Sequence, residues 1–152
     1  MLNLLGIQVI SVILVISVLI ENQNVYVGFS CYIMYNNREI YGPFKPTLAS
    51  GSDNTIPSCH AEVNAIKHII SIKGKKKLHK ATMIITRHSY DKNIDDWTLQ
   101  NAIPCYDCIQ YIKKFNIKHF IISTDTEEQF KKVSFEYIEQ NTKKSTGRLY
   151  GR

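Results

Sequence analysis

Hydrophobic positions along the chain fall into short segments whose spacing predicts strands and helices. Residues 25–35 and 38–44 are rich in β-branched and aromatic side chains, which is typical of strands. Asn36 and Asn37 lie between these segments and form a turn signal, so the two strands are predicted to make a hairpin. Residues 45–57 contain Pro, Gly, Ser, Asp and Asn and are predicted to form a loop.

The remaining segments alternate between helical and strand patterns. Helices are predicted over residues 58–72, from Pro104 to about residue 115, and over residues 127–140; strands are predicted at 81–86 and 118–123, and a long polar loop at 88–103. Strands that alternate with helices indicate the α/β class. We therefore expect a three-layer fold with a mixed central sheet of about five strands flanked by helices.

The first 20 residues form a nearly unbroken apolar run that is long enough to span a bilayer. No Lys or Arg precedes Arg38, so the charged start of a signal peptide is missing. Three interpretations stay open: a membrane anchor, a helix packed on the domain, and translated leader from a mis-assigned start. The anchor is favoured because the segment hardly shows a polar stripe at helical spacing. The positive charge after it would place the domain in the cytoplasm.

The length and composition of the rest suit one folded domain. The chain has 152 residues, of which 44% are hydrophobic and 21% charged, enough for a single core. We assign residues 1–20 to the hydrophobic segment, residues 21–141 to the domain, and residues 142–152 to a polar, basic tail. The net charge of +6 comes mostly from Lys in a chain also rich in Ile and Asn, so it is weak evidence for a nucleic-acid partner.

Part of this charge lies in one basic run between the predicted helix at 58–72 and the strand at 81–86. The run consists of Lys73, Lys75, Lys76, Lys77 and Lys80. Such a run can contact nucleic acid. A solvated connector is the simpler interpretation, so nucleic acid is kept as an alternative partner and is not favoured.

Four cysteines supply the first chemical signal. Cys105 and Cys108 form a C-x-x-C pair, which indicates a metal or redox motif in a reducing compartment. Their spacing places both thiolates on one face of a helical turn, and His60 can supply a nitrogen from the start of another helix. One His and two Cys suit zinc, and three protein ligands leave the fourth tetrahedral position open for water.

Glu62 supplies the second signal. It lies two residues after His60, in the first turn of the same predicted helix, from where its carboxylate can reach the open position on the metal. There it can take a proton from a water whose pKa falls to about 7 on zinc, and pass protons to a ring nitrogen and a leaving amine. This arrangement indicates hydrolytic deamination.

The two motifs together resemble a known family. His-x-Glu followed by Pro-Cys-x-x-Cys is the signature of zinc deaminases that act on bases, and residues 59–66 and 103–124 are similar to the cytidine and deoxycytidylate deaminase superfamily. The resemblance implies a five-stranded sheet flanked by helices. It also implies that backbone groups near Ala61, Ile103 and Pro104 face the substrate base, and that the protein assembles as a homo-oligomer.

The residues that would hold the sugar and phosphate match the family less well. Residues 41–44 lack the Asn that members often carry after the second strand to contact the sugar. Asn54 is a candidate substitute for this sugar contact, although a role as an ordinary turn residue is the simpler interpretation. Arg87 ends a predicted strand and is a candidate phosphate contact or a solvated strand end. Tyr90 and Trp97 in the polar loop can stack on a base or anchor the packing.

Three functions are therefore carried forward. The first is a zinc-dependent hydrolytic deaminase of a free cytosine nucleoside or nucleotide of the CMP or dCMP type, with a cytoplasmic catalytic domain. The second is an editing deaminase of RNA, including tRNA. The third is a non-catalytic zinc scaffold on the same fold, against which the intact Glu62 argues.

Overall fold

The computed structural model describes residues 27–48 and 57–142. The apolar segment 1–20, the candidate Asn54 and the tail beyond residue 142 lie outside this part of the chain. Within it, none of the helices is long and apolar enough to cross a membrane.

The first predicted hairpin is confirmed. β1 (Val27–Tyr35) pairs antiparallel with β2 (Glu39–Phe44). Asn36 and Asn37 between them have φ values of 52° and 56°, and the amide of Arg38 donates to the Tyr35 carbonyl at 3.1 Å. Asn tolerates this left-handed backbone better than most residues, so the Asn pair is the local reason for the turn.

The other elements complete a mixed sheet. They are β3 (Thr47–Leu48), β4 (Pro57–Cys59), β5 (Thr82–Asp91), β6 (Asp96–Gln100), β7 (His119–Ser123) and β8 (Phe130–Ser134). The main sheet has the order β2-β1-β5-β7-β8, with β6 paired to β5, and β3 pairs separately with β4. Only β5 and β7 are parallel among the described strand pairs. The predicted α/β class with a mixed sheet is confirmed.

Three helices cover one face of this sheet, which we call the first face. They are α1 (Ala61–Lys73), α2 (Tyr106–Lys113) and α3 (Phe135–Asn141). Their buried side chains join those of the first face in one core cluster, which includes Ile33 of β1, Ile85 of β5, Ile66 of α1 and Ile109 of α2. Each of these four side chains is at most 1% exposed. This packing places the N-termini of α1 and α2 next to one another at one edge of the sheet. Helix α3 begins at the opposite edge, where Ser134 pairs with His119.

The opposite face, which we call the second face, has its own cluster. It consists of Tyr32, Met34, Ile84, Ile121 and Phe130, with Ile40 and Leu99 packed against it. All of these residues belong to strands. Successive strand residues point to opposite faces, so each central strand contributes to both clusters.

The predicted polar loop at 88–103 was wrong. β5 continues to Asp91 and turns back through Asp95, which has φ 53°, into β6. Ring contacts hold the hairpin: Trp97 packs edge-on against His88 at 5.2 Å and Tyr90 at 5.8 Å between ring centroids. Cross-strand pairs of this kind stabilise a polar hairpin that lacks simple hydrophobic alternation.

Two helix predictions also needed correction. The helix predicted over 127–140 is β8 followed by α3, and the Ser134 side chain caps α3 by accepting from the Tyr137 amide at 3.2 Å. The helix predicted from residue 58 begins at Ala61, because residues 57–59 pair with β3 as β4. In both cases pairing with the preceding strand overrides the local helical pattern.

Candidate active site

The two predicted ligand motifs lie at helix N-termini. His60 is the N-cap of α1, with φ −75° and ψ 163°, and its carbonyl accepts from the Asn64 amide at 3.0 Å. Cys105 is the N-cap of α2 with nearly the same backbone, φ −69° and ψ 165°, and its carbonyl accepts from the Ile109 amide at 3.0 Å. The helix predicted from Pro104 therefore begins two residues later, at Tyr106. Both motifs therefore open helices as predicted.

Backbone contacts hold the segment before α2 against the sheet. The Ala102 amide donates to the Ser123 carbonyl at 3.1 Å, and the Ser123 hydroxyl donates to the Gln100 carbonyl at 2.7 Å. The Thr142 hydroxyl donates to the Pro104 carbonyl at 2.6 Å. Because Ser123 ends β7, these bonds tie the position of Cys105 to the carboxyl edge of the parallel strand pair.

The three candidate ligand atoms converge. Nδ1 of His60 is 3.4 Å from the Cys105 Sγ and 3.2 Å from the Cys108 Sγ, and the three atoms all lie within 4.8 Å of one another. Tetrahedral zinc, with its usual bond lengths, holds a nitrogen and a sulfur about 3.5 Å apart. The donor set and its spacing therefore fit one zinc ion. A zinc ion held by these three atoms would keep its fourth position open for water or a substrate.

The protonation of the sulfurs also suits a cation. The Cys108 thiol donates to the Cys105 sulfur, which lowers the pKa of Cys105 to about 4, and His60 adds to this effect while burial opposes it. The same hydrogen bond and burial raise the pKa of Cys108. The hydrogen bond to Cys105 raises the pKa of His60. A metal ion bound here would release the remaining thiol proton and take both sulfurs as thiolates.

Glu62 lies beside this group of ligands. Its Oε2 lies 3.6 Å from the Cys108 Sγ, and the residue is only 6% exposed. Burial raises the pKa of Glu62, and the charge of Cys105 adds to this, whereas its own backbone amide and His60 act in the opposite direction. A buried carboxyl of this kind holds a proton more readily than an exposed one and can pass it to an adjacent group.

Cys31 lies on β1, within electrostatic range of the Glu62 carboxylate. Its side chain is fully buried in the first-face cluster. Burial raises the pKa of the Cys31 thiol well above its ordinary value, and the Glu62 charge raises it further. The charge effect shows that Cys31 lies near the carboxylate. No sequence signal pointed to that proximity, since a buried strand cysteine is an ordinary core residue.

The candidate substrate contacts are distributed around these ligands. Ala61 is 2% exposed, Ile103 is half-buried against the first-face cluster, and Pro104 is buried. The structure thus places Ala61 and Pro104 next to the metal ligands in the chain, and their contact with a base stays a prediction.

Arg87 lies on the first face at the edge that carries the ligands. It follows Met83 and Ile85 in steps of two along β5, and both belong to the first-face cluster. Its guanidinium carbon lies 5.4 Å from the centre of the Phe29 ring. Its Nε is buried and makes no hydrogen bond to a described residue. The Phe29 ring therefore holds the Arg87 side chain in place, and its Nε–H can donate a hydrogen bond to an anion.

The aromatic residues considered for base stacking belong to the second face. Trp97 packs on His88 and Tyr90, as described above. A cavity of about 340 Å³ lies beside Trp97, and none of the candidate metal ligands lines it. Its lining consists of His88, Trp97, Thr98, Leu99, Thr124, Asp125, Thr126 and Gln129. Trp97 and Tyr90 are thus packing anchors of the hairpin.

One His and two Cys at paired helix N-termini, with a buried carboxylate beside them, form the arrangement of the zinc-dependent base deaminases. The comparison with protein families agrees with this class. The model of the cytidine and deoxycytidylate deaminase zinc-binding region matches residues 11–124, and the chain belongs to this family. No curated protein and no solved structure matches the chain significantly.

Proposed function

We propose that this protein is a zinc-dependent hydrolytic deaminase of a cytosine nucleoside or nucleotide, with Glu62 as the proton carrier. The observation that carries the proposal is the position of Glu62, buried and 3.6 Å from the sulfur of a candidate zinc ligand. A scaffold that only binds zinc gains nothing from a carboxylate there, because burial disfavours its charged form.

Zinc at this site would supply the Lewis acidity that makes water a nucleophile near neutral pH. Glu62 takes a proton from the attacking water and delivers it to the ring nitrogen next to the reacting carbon. It then carries the second proton to the departing amine, so that an amidine carbon and water become a carbonyl and ammonia. Its burial favours the protonated state that the delivery steps need.

The position of the basic run supports a small substrate over RNA. The run forms a 3-10 helix at Lys75–Lys80, after the carboxyl end of α1, whereas His60 is at the other end. A helix of 13 residues is about 20 Å long. Two of the lysines serve the fold: Lys73 pairs with Glu39 at 2.9 Å, and Lys75 lies 5.5 Å from the Phe115 ring centre.

Arg87 is our candidate for the contact that distinguishes a nucleotide from a nucleoside. It lies on the face and edge of the ligands, and its buried Nε makes no hydrogen bond to a described residue. A guanidinium that is held by a ring on one side can bind a phosphate on the other. The free thiols of Cys31, Cys105 and Cys108 suit a reducing compartment, so we place the reaction in the cytoplasm. Homo-oligomer formation stays a prediction.

The test is ammonia release by the purified full chain, after its zinc content has been measured. The panel contains cytidine, deoxycytidine, CMP, dCMP, adenosine and guanosine compounds, and short RNAs that contain C or A. We expect about one zinc per chain and turnover of a free cytosine compound.

Three outcomes would contradict the proposal in different ways. Turnover of RNA without turnover of any free compound would assign an editing function. Zinc binding without turnover of any member would favour the scaffold. Zinc that stays bound at one ion per chain in His60→Ala, with full activity, would overturn the ligand assignment itself.

A further inference from the structure

The first face of the sheet changes from apolar to polar at the edge that carries the ligands. On β5, Met83 and Ile85 belong to the first-face cluster and are at most 1% exposed. Two residues further along the same face, Arg87 is half-buried. The next pair on this face, Ser89 of β5 and Thr98 of β6, is also half-buried and polar. Helices α1 and α2 therefore cover the inner part of the face and leave this outer part accessible.

Three residues form one row where this change occurs. Phe29 of β1 pairs with Arg87 of β5, and Arg87 pairs with Gln100 of β6. Residues that pair directly across neighbouring strands point to the same face, so the three side chains share the first face. Strands lie about 4.8 Å apart, so this row, which we call the edge row, is about 10 Å long.

The edge row lies directly outside the candidate catalytic group. Cys31, which is within electrostatic range of Glu62, is two residues from Phe29 on the same face of β1, about 7 Å along the strand. At the other end of the row, Gln100 precedes the ligand Cys105 by five residues. The row is therefore a surface that the rest of a substrate can contact when its reacting carbon lies at the ligands.

The side chains of the edge row offer the contacts that a sugar phosphate needs. The Gln100 Nε2 donates to the Thr98 Oγ1 at 3.1 Å, which orients the amide and leaves its Oε1 to accept from a hydroxyl. Arg87 supplies a positive charge, and the Phe29 ring beside it is 39% exposed. One guanidinium matches a single terminal phosphate better than the repeated phosphates of RNA.

We propose that Phe29, Arg87 and Gln100 form the sugar-phosphate subsite of the site described above, which makes a cytosine nucleoside monophosphate its substrate class. This inference rests on the proposed deaminase function and adds two roles to it. Gln100 accepts a hydrogen bond from a sugar hydroxyl. Phe29 is a positioning residue, whose ring keeps the Arg87 guanidinium directed at the phosphate.

Replacement of Gln100 by Met tests the sugar contact, because methionine keeps the length of the side chain and lacks the amide. Ammonia release by the full zinc-loaded chain is measured with CMP, dCMP and 2′,3′-dideoxy-CMP. We expect kcat/KM to fall about three- to tenfold for the compounds that carry the recognised hydroxyl, which is the effect of one neutral hydrogen bond, and to stay the same for the dideoxy compound. Gln110→Met, on the exposed side of α2, is the matched control and should change no value. An equal loss for all three compounds, or no loss for any, would overturn the sugar contact.

Replacement of Phe29 by Leu tests the positioning role. We expect KM for CMP or dCMP to rise about two- to fivefold, with kcat and the values for the nucleoside unchanged, because an exposed ring stabilises a neighbouring guanidinium only modestly. Phe29→Tyr keeps the ring and should restore the wild-type KM for the nucleotide. Equal changes for nucleotide and nucleoside, or no recovery with Tyr, would overturn the role of Phe29.

Binding separates a failure of this subsite from a failure of the proposed function. A wild-type chain that releases no ammonia from any free compound contradicts the deaminase function, and the rise in melting temperature with CMP and with cytidine then tests the subsite. A larger rise with CMP than with cytidine, reduced in both Gln100→Met and Phe29→Leu, would support the subsite without turnover. No rise with CMP, or the same rise in all three chains, would overturn it.

Discussion

Replacement of Glu62 by Gln separates the chemical role of the carboxylate from its structural role. The amide has nearly the same volume, so the packing around the 6% exposed side chain is kept. The amide cannot take up and return a proton at neutral pH. The sulfur of Cys108 contacts this side chain at 3.6 Å, a long and weak contact, so the three ligands His60, Cys105 and Cys108 should keep their places.

The expected magnitudes follow from this geometry. Loss of a general acid–base group costs about 10²- to 10⁴-fold in turnover, which is about 2.7–5.4 kcal/mol of barrier height. Zinc content should stay at about one ion per chain, since three ligands remain. Burial raises the pKa of Glu62, so its ionised form is disfavoured in the fold. Because Gln has no ionised form, the melting temperature should stay the same or rise.

The assay measures ammonia release, zinc by mass spectrometry and thermal unfolding on the same preparations. Glu136→Gln is the matched control, because Glu136 is exposed in the first turn of α3 and the same chemical change there should leave all three values unaltered. Turnover within about tenfold of the wild type in Glu62→Gln would refute the proton-carrier role. Loss of zinc with intact folding would instead make Glu62 part of the metal site.

The remaining predictions concern metal, phosphate and pH. A chelator should lower the melting temperature, and Zn²⁺ but not Mg²⁺ should restore it, since nitrogen and sulfur donors do not suit magnesium. The melting temperature of Cys108→Ala should respond to neither the chelator nor Zn²⁺. A Cys108→Ala variant that still responds to the chelator would contradict the ligand assignment. Arg87→Gln should raise KM by about tenfold or more for a nucleotide and leave the nucleoside unchanged; equal changes for both would exclude a phosphate contact. A hydrogen bond from Lys73 lowers the pKa of Glu39, so this pair stabilises the fold above the ordinary carboxyl pKa and loses its effect as the pH falls through the lowered value. Glu39→Gln should therefore lower the melting temperature at pH 7 and converge with the wild type in strong acid; a difference that persists there would refute the ion pair.

Local patterns allowed the metal site to be predicted. The types and spacing of Cys105 and Cys108, and a helix start after each motif, are properties of a few neighbouring residues. They determine which atoms can point in one direction from a helical turn. The meeting of His60 with these cysteines, at 3.2 and 3.4 Å, depends on the packing of α1 beside α2 on the first face. Donor chemistry and the resemblance to a family predicted it, whereas residue spacing alone could not.

The errors lie where a segment pairs as a strand with another part of the chain. The segment at 127–140 has a helical pattern, but Phe130–Ser134 pairs with β7 and uses its backbone hydrogen bonds there. The hairpin of β5 and β6 depends on contacts of Trp97 with two rings that lie seven and nine residues away in the chain. A pattern of polar and apolar residues does not show which residues a strand will pair with or which rings will meet.

The sequence by itself determined the chemistry that this protein can perform: one nitrogen, two sulfurs and a carboxylate of suitable type, each at the start of a helix. Those properties are local, because residue identity and helical spacing suffice for them. Only the tertiary structure decided how deeply Glu62 is buried, that Cys31 lies near it, and that Arg87 faces the same edge. It also revealed that the second face of the sheet has a buried cluster of its own. Burial and proximity arise from packing between residues far apart in the chain, so a short stretch of the sequence cannot reveal either of them.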